Sequence, residues 1–281
     1  MILSRRHMLT LSAAAALVPA RAAQAIASRP DSLVVWRGRG AYFGGFSAIE
    51  LRSDRSRALV LSDRAFLVRV RLLRDPDARL TGIEEIEHFP LSGGGDSEGL
   101  DQRPDGTLFV SYEGPARVAR LADERGAPRR LTRAPEWRSL PSNRALEALA
   151  LDASGVAYTL AETPDGDSFP LWRLTDRWQV AGRVPYRGGF VPVGADFGPD
   201  GNLYLLERKF RLAFFATRIS RLRPDAWDRP ETLVETGLGA LDNHEGISIT
   251  RDGQGHLWAT TISDDNQSAL QRTEIAEFRL S

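Results

Sequence analysis

The chain has 281 residues, of which 42% are apolar and 26% charged, enough for one large soluble domain or two small ones. Its 37 basic and 37 acidic residues give a formal net charge of zero, which argues against a nucleic-acid-binding surface. The sequence contains no cysteine, so disulfides, thiolate metal sites and a cysteine nucleophile are excluded.

The first 27 residues are predicted to be an export signal. Ser4-Arg5-Arg6-His7-Met8-Leu9 resembles the twin-arginine motif, and the apolar stretch that follows is too short to span a bilayer as a stable helix. Small residues then offer cleavage points after Ala22, Ala25 or Ala27. We expect the twin-arginine machinery to export a soluble periplasmic domain, residues 28–281, with no membrane span; the general secretory route is the alternative.

A strand-like run, Ser32–Trp36, follows the signal and precedes a repeated pattern. Each repeat has two short strands around a tight turn, usually Asp-Gly or Ser-Gly, where glycine supplies the positive φ that the turn needs. The copies lie at 46–61, 97–110, 146–159, 193–205 and 244–259, and the first lacks the glycine. The equivalent positions are Ser47, Glu98, Glu147, Val193 and Glu245. They recur roughly every 50 residues, which is the spacing of propeller blades.

Two further strand-like runs follow the hairpin in most repeats. Examples are 66–72 with 83–89, 171–174 with 178–186, and 217–222 with 231–236. Four strands per unit is the composition of a propeller blade. The last repeat supplies only three, ending with Glu274–Leu280, so Ser32–Trp36 is predicted to add the fourth strand and close the ring. The sequence predicts an all-β, five-bladed β-propeller; six blades or a β-sandwich are the alternatives.

Acidic residues recur at both strand ends that meet at one end of each hairpin. In a propeller the first strand of each blade lines the central channel. First strands begin with Glu98, Glu147 and Glu245, and second strands end with Asp63, Glu113, Glu162, Glu207 and Asp264. We therefore expect about eight carboxylates around one mouth of the channel.

So many negative charges around a small channel repel one another. A bound cation, protonation of some acids or ion pairs with arginines would reduce this repulsion. Oxygen-rich sites without cysteine favour hard divalent cations, above all Ca²⁺. The candidate metal ligands are Glu98, Glu147, Glu245, Glu207, Asp63 and Glu113. Two readings without a metal stay open: acids that are merely solvated in polar loops, and acids that are paired with arginines.

Basic and polar groups are interleaved with these acids and are the candidate catalytic residues. Arg208, Lys209 and Arg64 could contact an anionic substrate. His244, next to Glu245, could act as a general acid or base or as a ligand, and a structural role is equally open. The sequence has no Gly-x-Ser-x-Gly motif, which disfavours a serine hydrolase.

Five short motifs carry a family resemblance. They are Phe43-Gly44-Gly45-Phe46-Ser47-Ala48-Ile49, Leu61-Ser62-Asp63-Arg64, Asp96-Ser97-Glu98-Gly99-Leu100, Leu206-Glu207-Arg208 and Asn243-His244-Glu245-Gly246-Ile247. They resemble the "esterase-like activity of phytase" family, exported bacterial proteins often called phytase-like, over about residues 32–280. The resemblance implies hydrolysis of a phosphoester or an ester. Propeller phytases hold several Ca²⁺ ions in an acidic channel, which is similar in kind to the predicted rim, but none of their site residues is carried over.

The expected function is a periplasmic, metal-dependent, phytase-like hydrolase that acts as a monomer on a small anionic or ester substrate. A lactonase-like metal propeller would fit the same acids. A non-catalytic propeller that binds a ligand or a protein is the alternative from another class, because one fold hosts many functions.

Overall fold

The structure, a computed structural model, describes residues 28–280, and the predicted export signal lies outside them. Twenty β-strands form five four-stranded antiparallel sheets in this part of the chain. The arrangement confirms the predicted five-bladed β-propeller. Between residues 28 and 280, no helix has the length and apolar character needed to cross a membrane.

Blades one to four are each built from four consecutive strands. Blade one contains β2 (Phe46–Leu51), β3 (Arg57–Ser62), β4 (Phe66–Arg74) and β5 (Leu80–Pro90). Blade two contains β6 (Ser97–Gln102), β7 (Leu108–Tyr112), β8 (Arg117–Leu121) and β9 (Arg129–Arg130). Blade three contains β10 (Ala148–Leu151), β11 (Ala157–Leu160), β12 (Ser168–Leu174) and β13 (Trp178–Pro185). Blade four contains β14 (Val191–Phe197), β15 (Leu203–Arg211), β16 (Phe214–Arg223) and β17 (Ala226–Glu235).

Blade five is completed by the N-terminal strand, as the sequence predicts. It contains β18 (Asn243–Arg251), β19 (Leu257–Asp264), β20 (Thr273–Arg279) and, outermost, β1 (Ser32–Trp36). Strand β1 runs antiparallel to β20, with Ser32 opposite Glu277 and Trp36 opposite Thr273. The buried carboxylate of Glu277 also ion-pairs with Arg55 at 3.0 Å and Arg74 at 2.6 Å, which ties blade five to blade one.

The inner strands β2, β6, β10, β14 and β18 contact one another in a ring. They approach closely because each carries a small residue at the same level: Ala48, Gly99, Ala148, Gly194 and Gly246. A Cβ atom on Gly194 would lie 2.3 Å from the Glu245 carbonyl oxygen, and one on Gly246 would lie 2.7 Å from the Ala48 Cα. These positions therefore exclude larger side chains, and they set the width of the channel.

Aromatic side chains fill the space beside blade three, next to the short outer strand of blade two. A 3₁₀ helix, Pro135–Ser139, follows β9 and buries Trp137. The Trp137 ring lies 5.9 Å from that of Trp172 and 5.0 Å from that of Trp178, between ring centroids. Trp137 thus packs in one core cluster with Phe109 of blade two and Trp172 of blade three.

Candidate functional site

Two positions per blade define one mouth of the channel, here called the rim. The first lies just before the small inner-strand residue and comprises Ser47, Glu98, Glu147, Val193 and Glu245. The second lies on or just after the second strand, at the same end of the hairpin, and comprises Asp63, Glu113, Glu162, Arg208 and Asp264. Strands β2, β6, β14 and β18 carry a β-bulge at the first position, which re-aims the side chain there.

The rim brings together three acids from different blades, Glu98, Glu147 and Glu245, as the sequence predicts. Burial raises the pKa of Glu147 well above its usual value, and the charges of Glu98 and Glu245 raise it further. Burial, and then the charge of Glu245, likewise raise the pKa of Glu98. The three carboxyls therefore resist ionising together unless a positive charge joins them.

Blade two contributes a compact carboxylate group at the rim. Ligand oxygens of Asp96, Glu98 and Glu113 all lie within 4.8 Å of one another. The Ala145 backbone N–H donates to Glu113 at 2.6 Å, which fixes that carboxylate, while Asp96 is exposed to solvent. Asp96 is absent from the predicted ligands, although its place two residues before Glu98 on an extended chain puts both on one face.

Asp63, from blade one, and Asp264, from blade five, extend the acidic rim. Burial raises the pKa of Asp63, and burial followed by the charge of Glu245 raises that of Asp264 to about 8. Arg64 lies beside Asp63, with Nε 3.7 Å from the carboxylate. Its guanidinium also donates to the carbonyl oxygens of Phe43 at 2.5 Å and Gly44 at 3.1 Å. Arg64 therefore also anchors the loop before β2.

Arg208 provides the positive charge at the blade-four position of the rim. Its guanidinium donates to Glu162 at 2.8 Å and to the Asn243 side-chain oxygen at 2.8 Å, and it pairs closely with Glu245. Burial alone would lower its pKa, but the charges of Glu245, Glu147 and Glu162 raise it above the ordinary value. Arg208 therefore stays charged and links blades three, four and five.

Glu207 does not reach the rim, because it lies one residue before the rim position of blade four. Successive side chains of a strand point to opposite faces, so this offset turns Glu207 into the blade. Its carboxylate accepts a hydrogen bond from the Ser220 hydroxyl and lies 3.6 Å from Arg187 and 3.7 Å from Arg218. The sequence pattern predicts Glu207 at the rim because it counts Glu207 as the end of the second strand. In the structure Arg208 occupies the rim position of blade four instead.

His244 and Lys209 also lie away from the rim acids. His244 is fully buried inside blade five, where Nδ1 lies 2.8 Å from the Thr261 hydroxyl and Nε2 lies 3.7 Å from Glu274. The Lys209 ammonium lies 5.5 Å from the centre of the Phe190 ring. Strand alternation separates both residues from their rim neighbours, Glu245 and Arg208. Of the four predicted catalytic residues, the structure brings only Arg208 and Arg64 to the acids.

The sequence matches the family described as "Phytase-like: Esterase-like activity of phytase" over residues 41–267. The chain belongs to this phytase-like family. Among curated proteins, none matches this phytase-like chain.

Solved structures share the fold of this phytase-like protein at low identity. The Bacteroides ovatus protein described as xyloglucan PUL GH43B is 16% identical, with a TM-score of 0.52 over 86% of this chain and 53% of its own. A putative gluconolactonase is 15% identical, with a TM-score of 0.48 over 83% of this chain and 74% of its own. Virginiamycin B lyase from Staphylococcus aureus is 16% identical, with a TM-score of 0.45 over 88% and 73%. The first supports the fold, and none bears on activity.

The opposite mouth of the phytase-like channel carries three further acids: Asp101 and Asp196, which are buried, and Glu50, which is half-buried. Burial raises the pKa of all three, that of Asp101 to about 7. Asp101 accepts the backbone N–H of Leu151 at 2.5 Å, and Asp196 accepts that of Ile249. These hydrogen bonds join neighbouring inner strands, so two of these acids hold the ring together.

Proposed function

We propose that the rim is the active centre of a metal-dependent hydrolase that acts on an ester or a phosphoester. The observation that carries this proposal is the group Asp96, Glu98 and Glu113, whose ligand oxygens lie within 4.8 Å of one another. Carboxylate oxygens are the preferred ligands of Ca²⁺. The family description, with its esterase-like activity, supports ester hydrolysis as the reaction class.

The donor set fits a hard divalent cation, because buried carboxyls at the rim have raised pKa values that a positive charge would relieve. Asp96, Glu98 and Glu113 would hold the cation, and Glu147, Glu245 and Asp63 are the further candidate ligands around it. When bound, a divalent cation polarises the carbonyl or phosphoryl oxygen of a substrate. Glu207, His244 and Lys209 have no place in this centre, because they lie away from the rim.

Proton transfer is assigned to rim carboxyls that do not ligate the cation. Efficient general acids and bases have pKa values near the working pH. Asp264 has a pKa raised to about 8 by burial and by Glu245, so it holds a proton at neutral pH and can donate it to a leaving group. Arg208 pairs with Glu162 and Glu245 and faces the mouth with its charge.

A substrate panel with and without Ca²⁺ tests this function. Aryl esters, lactones, aryl phosphates and phytate are offered to the wild type with Ca²⁺ or with a chelator, and we expect turnover only with Ca²⁺. Glu98→Gln should lower kcat/KM at least about tenfold, whereas Glu50→Gln, in the same channel at the opposite mouth, should retain activity. Equal turnover with chelator and with Ca²⁺ would contradict the metal-dependent mechanism.

The ion pairs of Arg208 favour a second candidate, a non-catalytic propeller that binds a ligand or protein. Arg208 already pairs with Glu162 and Glu245, so part of the rim is neutralised by protein alone. In that case calorimetry should detect no Ca²⁺ binding, and no member of the panel should be turned over.

We also propose that the twin-arginine machinery exports the folded domain to the periplasm. The support is the motif around Arg5 and Arg6, which lies outside the described residues. Replacing both arginines with lysine should leave folded precursor in the cytoplasm, while Arg21→Lys, which keeps the pair, should not. A normal periplasmic yield of the double variant, measured by cell fractionation, would contradict this route.

A further inference from the structure

Blade four extends beyond the rim on its second and third strands. Strand β15 continues for three residues after Arg208, to Arg211, and β16 begins at Phe214. The second strands of the other blades end at or before their rim residue; β3, for example, ends at Ser62. Three residues of strand span roughly 10 Å, so residues 209–215, the blade-four hairpin, stand above the mouth.

The tip of the blade-four hairpin is apolar and exposed. Phe210 is 65% exposed, Leu212 77% and Phe214 57%. Leu212 and Ala213 have φ values of 53° and 66°, in the left-handed region that residues other than glycine rarely adopt. An exposed apolar tip held by a strained turn is unfavourable for an isolated domain, so it points to a function.

A cavity of about 560 Å³ lies between the blade-four hairpin and the rim. Its aromatic wall contains Phe210, Phe215 and Tyr186, and the two phenylalanine rings lie 5.0 Å apart between centroids. Its polar wall is part of the rim network and contains Arg208, Glu162 and Asn243. A ligand in this cavity would contact aromatic rings on one side and the candidate active centre on the other.

The charge of the rim disfavours a polyanionic ligand. Three arginines pair with rim acids: Arg208, Arg144 and Arg64. The acids of the rim are Asp63, Asp96, Glu98, Glu113, Glu147, Glu162, Glu245 and Asp264. Even when one of these eight acids keeps a proton, seven formal negative charges exceed the five positive charges of the three arginines and one divalent cation. The rim therefore stays negative, and a phosphate dianion would be repelled.

We propose that the ligand of this cavity is an uncharged ester whose aromatic or apolar group packs against Phe210, Phe215 and Tyr186. The ester group then faces Arg208 and the rim acids; its cleavage rests on the proposed function, whereas its binding rests on the cavity alone. Hydrolysis breaks the acyl C–O bond of the ester with one water molecule. The hydroxyl of the water joins the acyl carbon to give a carboxylic acid, and the remaining proton of the water goes to the alcohol or phenol that leaves. The acid ionises, and the negative rim favours its release.

Two ligands with the same ring and different charge test the binding. N-(1-naphthyl)acetamide, an uncleavable amide analogue of an aryl ester, and 1-naphthyl phosphate are titrated into the protein by calorimetry with Ca²⁺ present. We expect the amide to bind, and the phosphate to bind at least tenfold more weakly. Phe210→Ala should weaken amide binding about tenfold because it removes a ring contact, and Val180→Ala, exposed on the outer strand of blade three, should not.

Several results would overturn the inference. If the amide does not bind, or binds equally well to Phe210→Ala, the aromatic wall is not a binding surface. If the phosphate binds as tightly as the amide, the rim does not select against negative charge. A dimer that Phe210→Ala converts to a monomer in sedimentation, without amide binding, would make the hairpin a self-association surface instead. Amide binding without hydrolysis of 1-naphthyl acetate would support this inference and contradict the proposed hydrolase.

Discussion

Arg208 is the residue on which the charge balance of the rim depends. It pairs with Glu162 and Glu245, and the charge of Glu147 acts on it as well. Its side chain is only 18% exposed, so solvent could not take over its role if it were removed. Removing one partner of a buried ion pair leaves an uncompensated charge, which is far more costly than losing a surface pair.

Replacing Arg208 with methionine should therefore destabilise the protein in a pH-dependent way. We expect a loss of about 3–5 kcal/mol in the free energy of unfolding at pH 8. The loss should be smaller at pH 5, because the abandoned acids can take up protons there. Urea unfolding at both pH values measures the effect. Lys209→Met, the next residue, changes a charge that faces Phe190 and should cost much less; equal losses for Arg208→Met at both pH values would indicate packing rather than charge.

At the scale of elements, the inner strands depend on small residues at one level. A Cβ atom on Gly246 would lie 2.7 Å from the Ala48 Cα and 2.8 Å from the Ile49 backbone nitrogen. These are backbone atoms of the neighbouring blade, so they cannot move aside as a flexible side chain could. The approach of β18 to β2 at the rim therefore requires a residue without a side chain at this position.

Gly246→Ala should consequently destabilise the ring by about 1–3 kcal/mol, the usual cost of overpacking. Gly253→Ala is the matched control, because a Cβ atom there would contact nothing within 4 Å. The control should change stability by no more than about 0.5 kcal/mol. Chemical unfolding measures the free energy of unfolding of both variants. Equal values would mean that β18 can move away from β2 at little cost, which would contradict the requirement for glycine at position 246.

The closure of the ring depends on Glu277 in β20. Burial raises the pKa of this carboxyl, but Arg74 and Arg55 lower it more, so the net pKa lies below the usual value. A folded-state pKa below the unfolded one stabilises the protein above the unfolded pKa, about 4.3, and this stabilisation is lost as the pH falls through the folded value.

Glu277→Ala should thus cost about 3–5 kcal/mol at pH 7 and less near pH 3. Glu231→Ala removes an exposed ion pair with Arg221, 2.7 Å long, on the outer edge of blade four, and it should cost less than about 1 kcal/mol. Thermal or urea unfolding distinguishes the two. A small cost for Glu277→Ala would mean that β1 pairing alone closes the ring.

Taken as a whole, the channel concentrates carboxyls whose pKa values are raised. As the pH rises above about 4, such groups ionise in the unfolded chain while the folded protein keeps their protons. The unfolded state then binds fewer protons, and stability falls with rising pH. A cation at the rim would need these carboxyls ionised, so protons and Ca²⁺ should compete for them.

The stabilisation by Ca²⁺ should therefore be larger at pH 8 than at pH 5.5. Free Ca²⁺ at about 100 times its Kd adds about 2.7 kcal/mol, which corresponds to roughly 5–10 °C in Tm. Glu147→Gln should reduce this shift, and Glu50→Gln at the opposite mouth should keep it. Thermal scans with Ca²⁺ and with chelator at both pH values provide the measurement; identical Tm values for the wild type at pH 8 would argue for an arginine–carboxylate network without a metal.

The fold was predictable because its signals are local and repeated. Turn residues and strand-like runs recur in every blade, and the missing strand of the last repeat identified Ser32–Trp36. Parts of the rim were less predictable, because a one-residue offset reverses the direction of a side chain. That offset separates Glu207 from Arg208 and His244 from Glu245, and the bulges that decide it depend on pairing with the neighbouring strand. The long blade-four hairpin was not predicted, because its turn residues are Leu212 and Ala213 rather than the glycine that usually marks such a turn.

The pairing of β1 with β20 also has a consequence for synthesis. The two strands lie 245 residues apart in sequence, as Ser32 and Glu277 show. At 5–20 residues per second, a ribosome makes the second strand roughly 10–50 s after the first. During that time β1 lacks its partner strand, and the incomplete ring has uncovered strand edges, which are prone to mispairing. A chaperone that covers β1 until the release of the chain would protect it, and any export system that accepts only folded domains would have to wait for that last strand.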